Sequence, residues 1–386
     1  MKEYLKEYCV GCGLCEALAK AKCEVDGNGF LHPVSGDEKW LAQVCPSGGA
    51  QCCDMSTKEI WGRHEAVYYG WSNDDYVRRT ASSGGILTEI AAWAIENNIA
   101  DSVLHTCVNP NSPTETICCE SCTREEIIDR SGSRYSISHP LRILDSIDRN
   151  KKYVFIGKPC DITALQNFLR INPEWKSSIV LTLSFFCAGL PSTGAQEKLL
   201  KHLECSPSDV ASLRYRGDGW PGYTTAIDKQ GKRYQTDYAT SWGSILGRDI
   251  MKMCRFCLDG IGEMADISCG DAWYLTDNKK PDFTEAQGRN VIFARTRKGA
   301  EILKHINEQK KITLTETTTA DLRFIQTYQW ERKATMIDKI MSMTVKNKKT
   351  PRYRIKNVVA FATSVGVRKH FRIFKGTIKR IEQGKI

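Results

Sequence analysis

Seven cysteines fall within the first 60 of 386 residues: Cys9, Cys12, Cys15, Cys23, Cys45, Cys52 and Cys53. Three of them form C-V-G-C-G-L-C. The stretch is loop-rich and has too few apolar residues for a core of its own, so a bound inorganic group must supply the missing stability. Thiolates at C-x2-C-x2-C can wrap one face of an iron–sulfur cubane, and the two intervening glycines let backbone N–H groups approach the sulfides. Cys23 is the first candidate for the fourth ligand, and Cys45, in C-P-S-G-G, is the second. Zinc is the alternative, but zinc modules usually show two separated C-x2-C pairs.

The chain holds 17 cysteines, an odd number and too few for a disulfide scaffold. The start, M-K-E-Y-L-K-E-Y-C, has no apolar core of the kind a secretory leader carries. The thiols are therefore expected in a reducing, cytoplasmic compartment, where disulfides are rare. No apolar run reaches the roughly 18 residues that a membrane span requires. With 41% hydrophobic and 26% charged residues, the class is soluble and globular.

The net charge of +10 is concentrated at one end. Residues 346–386 carry 13 Lys or Arg against one acid, Glu382, and the rest of the chain is close to neutral. The apolar stretch 358–367 lies beside Arg368, Lys369, His370 and Phe371. This tail suits either an anionic membrane surface, reached from the inner face, or an acidic partner. No C2H2, helix-turn-helix or RRM signature is present, so no nucleic-acid partner is expected.

Residues 65–205 alternate strand-like and helical segments. Strands are expected at 67–71, 102–108, 153–156 and 178–186, and helices at 85–98, 161–170 and 192–203. This alternation implies a mixed α/β fold with a largely parallel sheet. The period shortens to two over 208–240, which reads as a strand-rich insertion of three strands. A further strand follows at 290–296 and a helix at 298–309. Three units are expected: an N-terminal cluster module (1–60), an α/β domain (61–310) and a helical, basic tail (311–386).

A second set of cysteines is dispersed. Cys160 follows G-K-P, Cys187 follows the next strand in F-F-C-A-G-L-P-S, and Cys254 and Cys257 form M-C-R-F-C-L-D. Ligands of open α/β sheets gather at the carboxyl ends of strands, where Cys160 and Cys187 would lie. By spacing alone the signal is weak, because isolated cysteines after strands are commonly buried hydrophobes. Other features mimic sites. G-D-G-W-P-G (217–222) fits G-x-G-x-x-G, but a strand rather than a helix follows it, so Trp220 lining a site is the better account. Cys118, Cys119 and Cys122 read as a surface loop, His105 as a core residue, and Cys269 as a buried small residue.

Taken in order, several motifs resemble the beta subunit family of coenzyme F420 hydrogenases and dehydrogenases over nearly the whole chain. They are C-V-G-C-G-L-C, S-S-G-G-I from Ser82, G-S-R-Y from Gly132, G-K-P-C-D-I-T-A-L from Gly157, F-F-C-A-G-L-P-S from Phe185, Y-R-G-D-G-W-P-G from Tyr215, and C-R-F-C-L-D with A-D-I-S-C-G-D-A-W between Cys254 and Trp273. The cluster pattern is also similar to that of hydroxymethyl chlorophyll a reductase. The resemblance implies FAD and two [4Fe-4S] clusters. Cys9, Cys12, Cys15 and Cys23 would hold one cluster, and Cys160, Cys187, Cys254 and Cys257 the other. Ser82, Ser83, Gly84 and Gly85 would meet the flavin at a helix N-terminus. Arg134 and Lys158 would supply positive charge near the flavin pyrophosphate or N1, and Tyr135 would complete the site. No catalytic residue is singled out.

The function expected is a ferredoxin-linked iron–sulfur flavoprotein oxidoreductase acting on a small organic substrate, in the setting of cell-surface polysaccharide metabolism. An electron-transfer subunit reducing a deazaflavin within a larger complex is the alternative. A non-enzymatic zinc or nucleic-acid-binding protein is the alternative of another class.

Overall fold

The computed structural model describes residues 7–19, 21–48 and 59–386. Cys52 and Cys53 lie outside the described residues. In chain order the strands are β1 (Cys23–Val25), β2 (Leu31–Pro33), β3 (Ala66–Ser72), β4 (Ser102–Asn109), β5 (Ser112–Ser121), β6 (Tyr153–Gly157), β7 (Ile179–Phe185), β8 (Val210–Arg214), β9 (Thr224–Asp228), β10 (Arg233–Thr236), β11 (Ile267–Asp271), β12 (Asn290–Ala294) and β13 (Ile312–Glu316). Among the described residues they form a two-stranded hairpin, a three-stranded sheet β10-β9-β8, and an eight-stranded sheet ordered β13-β3-β12-β11-β7-β6-β4-β5. In the large sheet β11, β7, β6 and β4 run parallel. Antiparallel strands flank this parallel centre on both sides.

The main helices are α1 (Leu14–Leu18), α2 (Glu38–Val44), α3 (Ile86–Glu96), α4 (Pro159–Ile171), α5 (Thr193–His202), α6 (Arg297–Glu308), α7 (Thr327–Ala334), α8 (Met336–Val345), α9 (Ile355–Val359) and α10 (Val367–Glu382). The sheet is covered on both faces, and strand alternation decides which side chain goes where. Val103, Val154, Leu181, Leu183, Ile267 and Ile292 share a cluster with Ile86, Ile90 and Trp93 of α3 and with Ile302, Leu303 and Ile306 of α6. Leu104, Tyr153 and Phe155, one residue out of phase, turn to the opposite face and meet Ile162, Leu165 and Phe168 of α4.

That second face also receives both ends of the chain. Tyr8, Val10, Leu14 and Val44 join the same cluster, as do Met336 and Met343 of α8, Val358 of α9 and Ile381 of α10. The Tyr8 hydroxyl donates to the Lys349 carbonyl at 2.6 Å. The cysteine-rich segment, too poor in apolar residues for its own core, thus places Tyr8, Val10, Leu14 and Val44 in the cluster that includes α4, while Phe30 packs with Leu190 and Met251.

The expected strands and helices form with ends shifted by a few residues, and the insertion forms a sheet of its own. Two readings change. Cys160 stands in the first turn of α4 rather than at a strand end, because Pro159 suits the first helical position. Cys118 and Cys119 lie on β5 and pair with β4, rather than on a surface loop. β5 is a polar edge strand, which weakens the alternation that would have revealed it. β11 (I-S-C-G-D) escapes for a similar reason, being short and rich in small residues.

Candidate functional site

Two small, apolar-walled cavities collect the cysteines. The first, about 30 Å³, is lined by Cys9, Cys12, Cys15, Cys23 and Cys45, with Leu14, Leu31, Leu41 and Val44 around them. Gly11, at φ +64, lets its N–H point back to the Cys9 sulfur at 3.3 Å. Cys15 and Cys23 sulfurs are 3.9 Å apart. Burial, followed by the neighbouring Cys45 thiol, pushes Cys9 up to about 12. Both candidates for the fourth ligand, Cys23 and Cys45, therefore stand at the cavity wall.

The second cavity, about 70 Å³, is lined by Cys160, Cys187, Cys254 and Cys257. Strand order brings these three segments together. β6 and β7 are neighbours, so the loops after them adjoin, and the 254–257 turn closes over both. The Leu190 N–H donates to the Cys254 sulfur at 3.4 Å. The Asp259 carboxylate fixes the end of this turn by accepting from the N–H groups of Ile261 at 3.0 Å and Gly262 at 2.8 Å. Burial and mutual repulsion raise Cys254 to about 12, and burial raises Cys257 to about 11. Cys160 and Cys187 are raised as well, chiefly by burial. Four half-buried thiols that resist losing their protons need a cationic centre to become thiolates together, and metal binding supplies it.

Among the described residues no three His, Cys, Asp or Glu side chains converge closely enough to grip a single ion. The cysteines instead stand around cavities with apolar walls, a donor set that fits soft-metal clusters. N–H donors already aimed at Cys9 and Cys254 suit sulfur ligands, whose hydrogen bonds tune cluster potential.

A third cavity, about 730 Å³, opens at the carboxyl edge of the parallel strands, within the size range of cofactor sites. Its lining includes Ser82, Ser83, Gly85, Arg134, Tyr135 and Lys158. Gly85 adopts φ +79 and starts α3, so the first turn of that helix faces the cavity. Gly84 does not line it. A Cβ there would lie 2.7 Å from Asn290 Oδ1, so its role is close packing on β12. Arg134 also differs from expectation. Its guanidinium donates to the carbonyls of Leu213, Pro113 and Glu115 and to Thr116 Oγ1, and so clamps backbone instead of offering free charge.

Lys158 is the residue that joins the cavities. It lines both the second thiol cavity and the large one. Its Nζ donates to Asp161 Oδ2 at 2.7 Å, and its backbone N–H donates to the same oxygen at 3.0 Å. Burial opposes its charge, but the Asp161 carboxylate outweighs this and holds Lys158 above its ordinary value. Asp161 is fully buried, lines the large cavity, and its Oδ1 has no hydrogen-bond partner. An orphaned acceptor of this kind fits a bound group that donates an N–H or O–H.

Several lining residues were not anticipated. Tyr238, Trp242, Trp273 and Phe283 build an aromatic end of the cavity. Trp220 sits one layer behind, stacked on Trp273 at 4.6 Å, and donates to Asp271 Oδ1 at 2.8 Å. Arg216 holds Asp271 through two bonds of 2.9 Å. Asp271 and Trp273 lie in A-D-I-S-C-G-D-A-W, the motif that could have revealed them. His105 is both a core residue, bonded to Ser121 Oγ at 2.8 Å, and part of the cavity wall. Cys269 is buried in the same wall, and burial raises its thiol.

Residues 67–145 match the family model described as the N-term of the coenzyme F420 hydrogenase/dehydrogenase beta subunit, and residues 150–320 match the model of its C terminus. The chain belongs to this family. The second thiol set and most of the large cavity's lining fall within the matched residues, while Ile325, Gln326, Thr327, Tyr328, Gln329 and Glu331 of that lining lie beyond them. The first thiol set and most of the basic tail fall outside them. Among curated relatives, coenzyme F420 hydrogenase subunit beta of Methanosarcina barkeri is 25% identical over 249 residues, covering 62% of this chain and 78% of the relative. The subunit of the same name from Methanococcus voltae is 21% identical over 271 residues, covering 68% and 86%. A chain of the F420-reducing [NiFe] hydrogenase complex from Methanosarcina barkeri superposes with a TM-score of 0.58 at 19% identity, covering 75% of this chain and 96% of that one. This likeness extends the family assignment to the fold. Among the described residues no helix is long and apolar enough to cross a membrane.

Proposed function

We propose that the chain is an electron-transfer oxidoreductase subunit that holds two [4Fe-4S] clusters and a flavin, and exchanges electrons with a deazaflavin of the coenzyme F420 type. The observation that carries this is the continuity of the three cavities. Val10 lines both thiol cavities. Lys158, Cys187, Gly189 and Leu190 line both the second thiol cavity and the large one. When bound, the clusters would carry single electrons and the flavin would couple them to two-electron chemistry. The names of the relatives favour this deazaflavin reading over a role in cell-surface polysaccharide metabolism.

The chain's own residues support each part. The first turn of α3 offers backbone N–H groups to a phosphate. Lys158 sets a buried positive charge between the cluster ligands and the large cavity. Asp161 Oδ1 supplies an acceptor to the bound ring, and Trp273, Tyr238 and Phe283 offer flat faces for a planar substrate.

A groove of about 1650 Å³ reaches the outer side of the Cys254–Cys257 turn through Arg255 and Phe256. Arg332, Lys339, Lys379 and Arg380 also line it. Burial, then Arg332 and Arg380, lowers Lys339 to about 7, so Arg255, Lys379 and Arg380 carry the groove's steering charge. This groove suits an acidic carrier such as a ferredoxin, which steering by charge would bring in.

The test is anaerobic purification with iron, sulfide and flavin analysis, then mixing of the reduced protein with coenzyme F420. About eight iron atoms and one flavin per chain are expected, with loss of the deazaflavin's visible absorbance. Protein without iron or flavin overturns the cofactor assignment. Loaded protein that leaves coenzyme F420 unreduced overturns the acceptor.

A further inference from the structure

We infer that the C-terminal helices form a docking surface for anionic lipid. Three successive helices each leave an i, i+4 pair of large apolar side chains in solvent: Met341 and Val345 on α8, Ile355 and Val359 on α9, Val367 and Phe371 on α10. The leading members are far from marginal, with Val345 67%, Ile355 75% and Val367 83% exposed. Residues at i and i+4 lie on one helix face, so each pair is a short apolar ridge.

The rotation of α10 that exposes its ridge is fixed by inward contacts. Lys369 pairs with Glu331, and His370 Nδ1 meets Asp338 Oδ2 at 2.8 Å. Ser342 Oγ donates to the Phe374 carbonyl at 3.1 Å, and Thr377 and Ile381 are buried. These contacts turn one side of the helix to the protein and leave Val367 and Phe371 on an outer stripe. Helical spacing places the half-exposed Phe374 and Ile378 along the edge of that stripe.

Basic side chains border these ridges. Lys348, Arg354, Lys356, Arg368, Arg372 and Lys375 are all exposed. The Lys375 ammonium lies 4.4 Å from the Phe371 ring centroid, so the charge stands directly beside an apolar group. The only acid in residues 346–386 is Glu382, and it is paired with Lys346 at 2.6 Å. Apolar ridges edged by unopposed Lys and Arg are the composition of an interfacial helix. The aliphatic groups enter the acyl boundary while the cations meet anionic headgroups. A lipid surface makes no demand for side-chain shape complementarity, so each apolar ridge edged by cations can use it. An acidic protein would satisfy the charges but leave no reason for the exposed aliphatic pairs.

The full-length protein should sediment with vesicles of phosphatidylcholine plus phosphatidylglycerol, but not with phosphatidylcholine alone, and salt should weaken the binding. Val367→Asp with Phe371→Asp should cut binding by about tenfold or more, as should Arg372→Glu with Lys375→Glu. Iron content and far-UV circular dichroism should stay unchanged in both pairs. The charge-reversed pair touches only exposed side chains and remains informative if the apolar pair misfolds. Failure to bind anionic vesicles overturns the inference, as does equal binding to neutral vesicles or unchanged binding by folded variants. Vesicle binding does not depend on the redox role, so each can fail without the other.

Discussion

Replacing Gly85 by Ala is the most direct probe of the helix start that faces the large cavity. Gly85 sits at φ +79, in the left-handed region, where a side chain costs about 1–2 kcal/mol. A Cβ there would also meet Val77 Cγ1 at 3.0 Å, the Val77 carbonyl oxygen at 3.2 Å and Ser72 Cβ at 3.3 Å. The valine methyl can yield, but the carbonyl belongs to the short helix Asp75–Thr80. Crowding of this kind adds about 1–3 kcal/mol. A stiffer unfolded chain returns about 0.4–1 kcal/mol. The net is roughly 1–5 kcal/mol of strain, relieved most easily by moving the start of α3 away from Ser82 and Ser83.

If that movement carries about 1.4 kcal/mol of the strain, FAD binding weakens about tenfold. Gly231→Ala is the control. Gly231 has a similar φ of +82 but nothing within 4 Å of its Cβ position, and it lies in the turn between β9 and β10. It should cost about 1–2 kcal/mol of stability and leave FAD affinity unchanged. The assay is anaerobic titration of deflavinated protein with FAD, followed by quenching of flavin fluorescence, with iron measured in parallel. An unchanged FAD affinity in a destabilised Gly85→Ala protein would refute the placement of the flavin at this helix. Equal loss of affinity in both variants would do the same.

Cys12→Ser and Cys254→Ser should each remove about four iron atoms per chain, and a Cys254→Ser protein with full iron content would remove the dispersed cluster. Lys379→Glu with Arg380→Glu should raise the KM for a reduced acidic ferredoxin several-fold and flatten its salt dependence, with dithionite-driven reduction unchanged. A KM equal to that of the wild type would clear the groove of that role. The His370–Asp338 contact makes docking of α10 depend on pH. The hydrogen bond to Asp338 raises His370, so its contribution is complete below the ordinary histidine value near 6.5 and is lost as pH rises through the higher folded value. Burial raises Asp338, so the pairing also fades at the acid end sooner than an exposed carboxylate would allow. Hydrogen exchange over residues 367–382 should therefore speed up at alkaline pH beyond its intrinsic increase, and His370→Ala should abolish the difference. Protection that does not change with pH would contradict this.

The cysteine-rich start was legible because its information is local. Three thiols within seven residues must lie near one another in any fold, and Gly11 donates to the Cys9 sulfur because the chain turns there. Strand and helix segments were legible for the same reason, since β6 shows as a short apolar run from Tyr153 to Ile156, and the opposite faces taken by Tyr153 and Val154 follow from strand geometry. The second thiol set is of another kind. Cys160, Cys187 and Cys254 are brought together by the order of strands in the sheet, which spacing along the chain does not encode, and only the family resemblance pointed to the set. Arg134 illustrates the same limit, because three carbonyls from β5 and β8 and their flanks converge on its guanidinium only after folding. Asp161 looked like an ordinary helical acid. The tertiary structure buried it beside Lys158 and left one oxygen without a partner, because long-range packing, and not local preference, sets which polar groups lose their water.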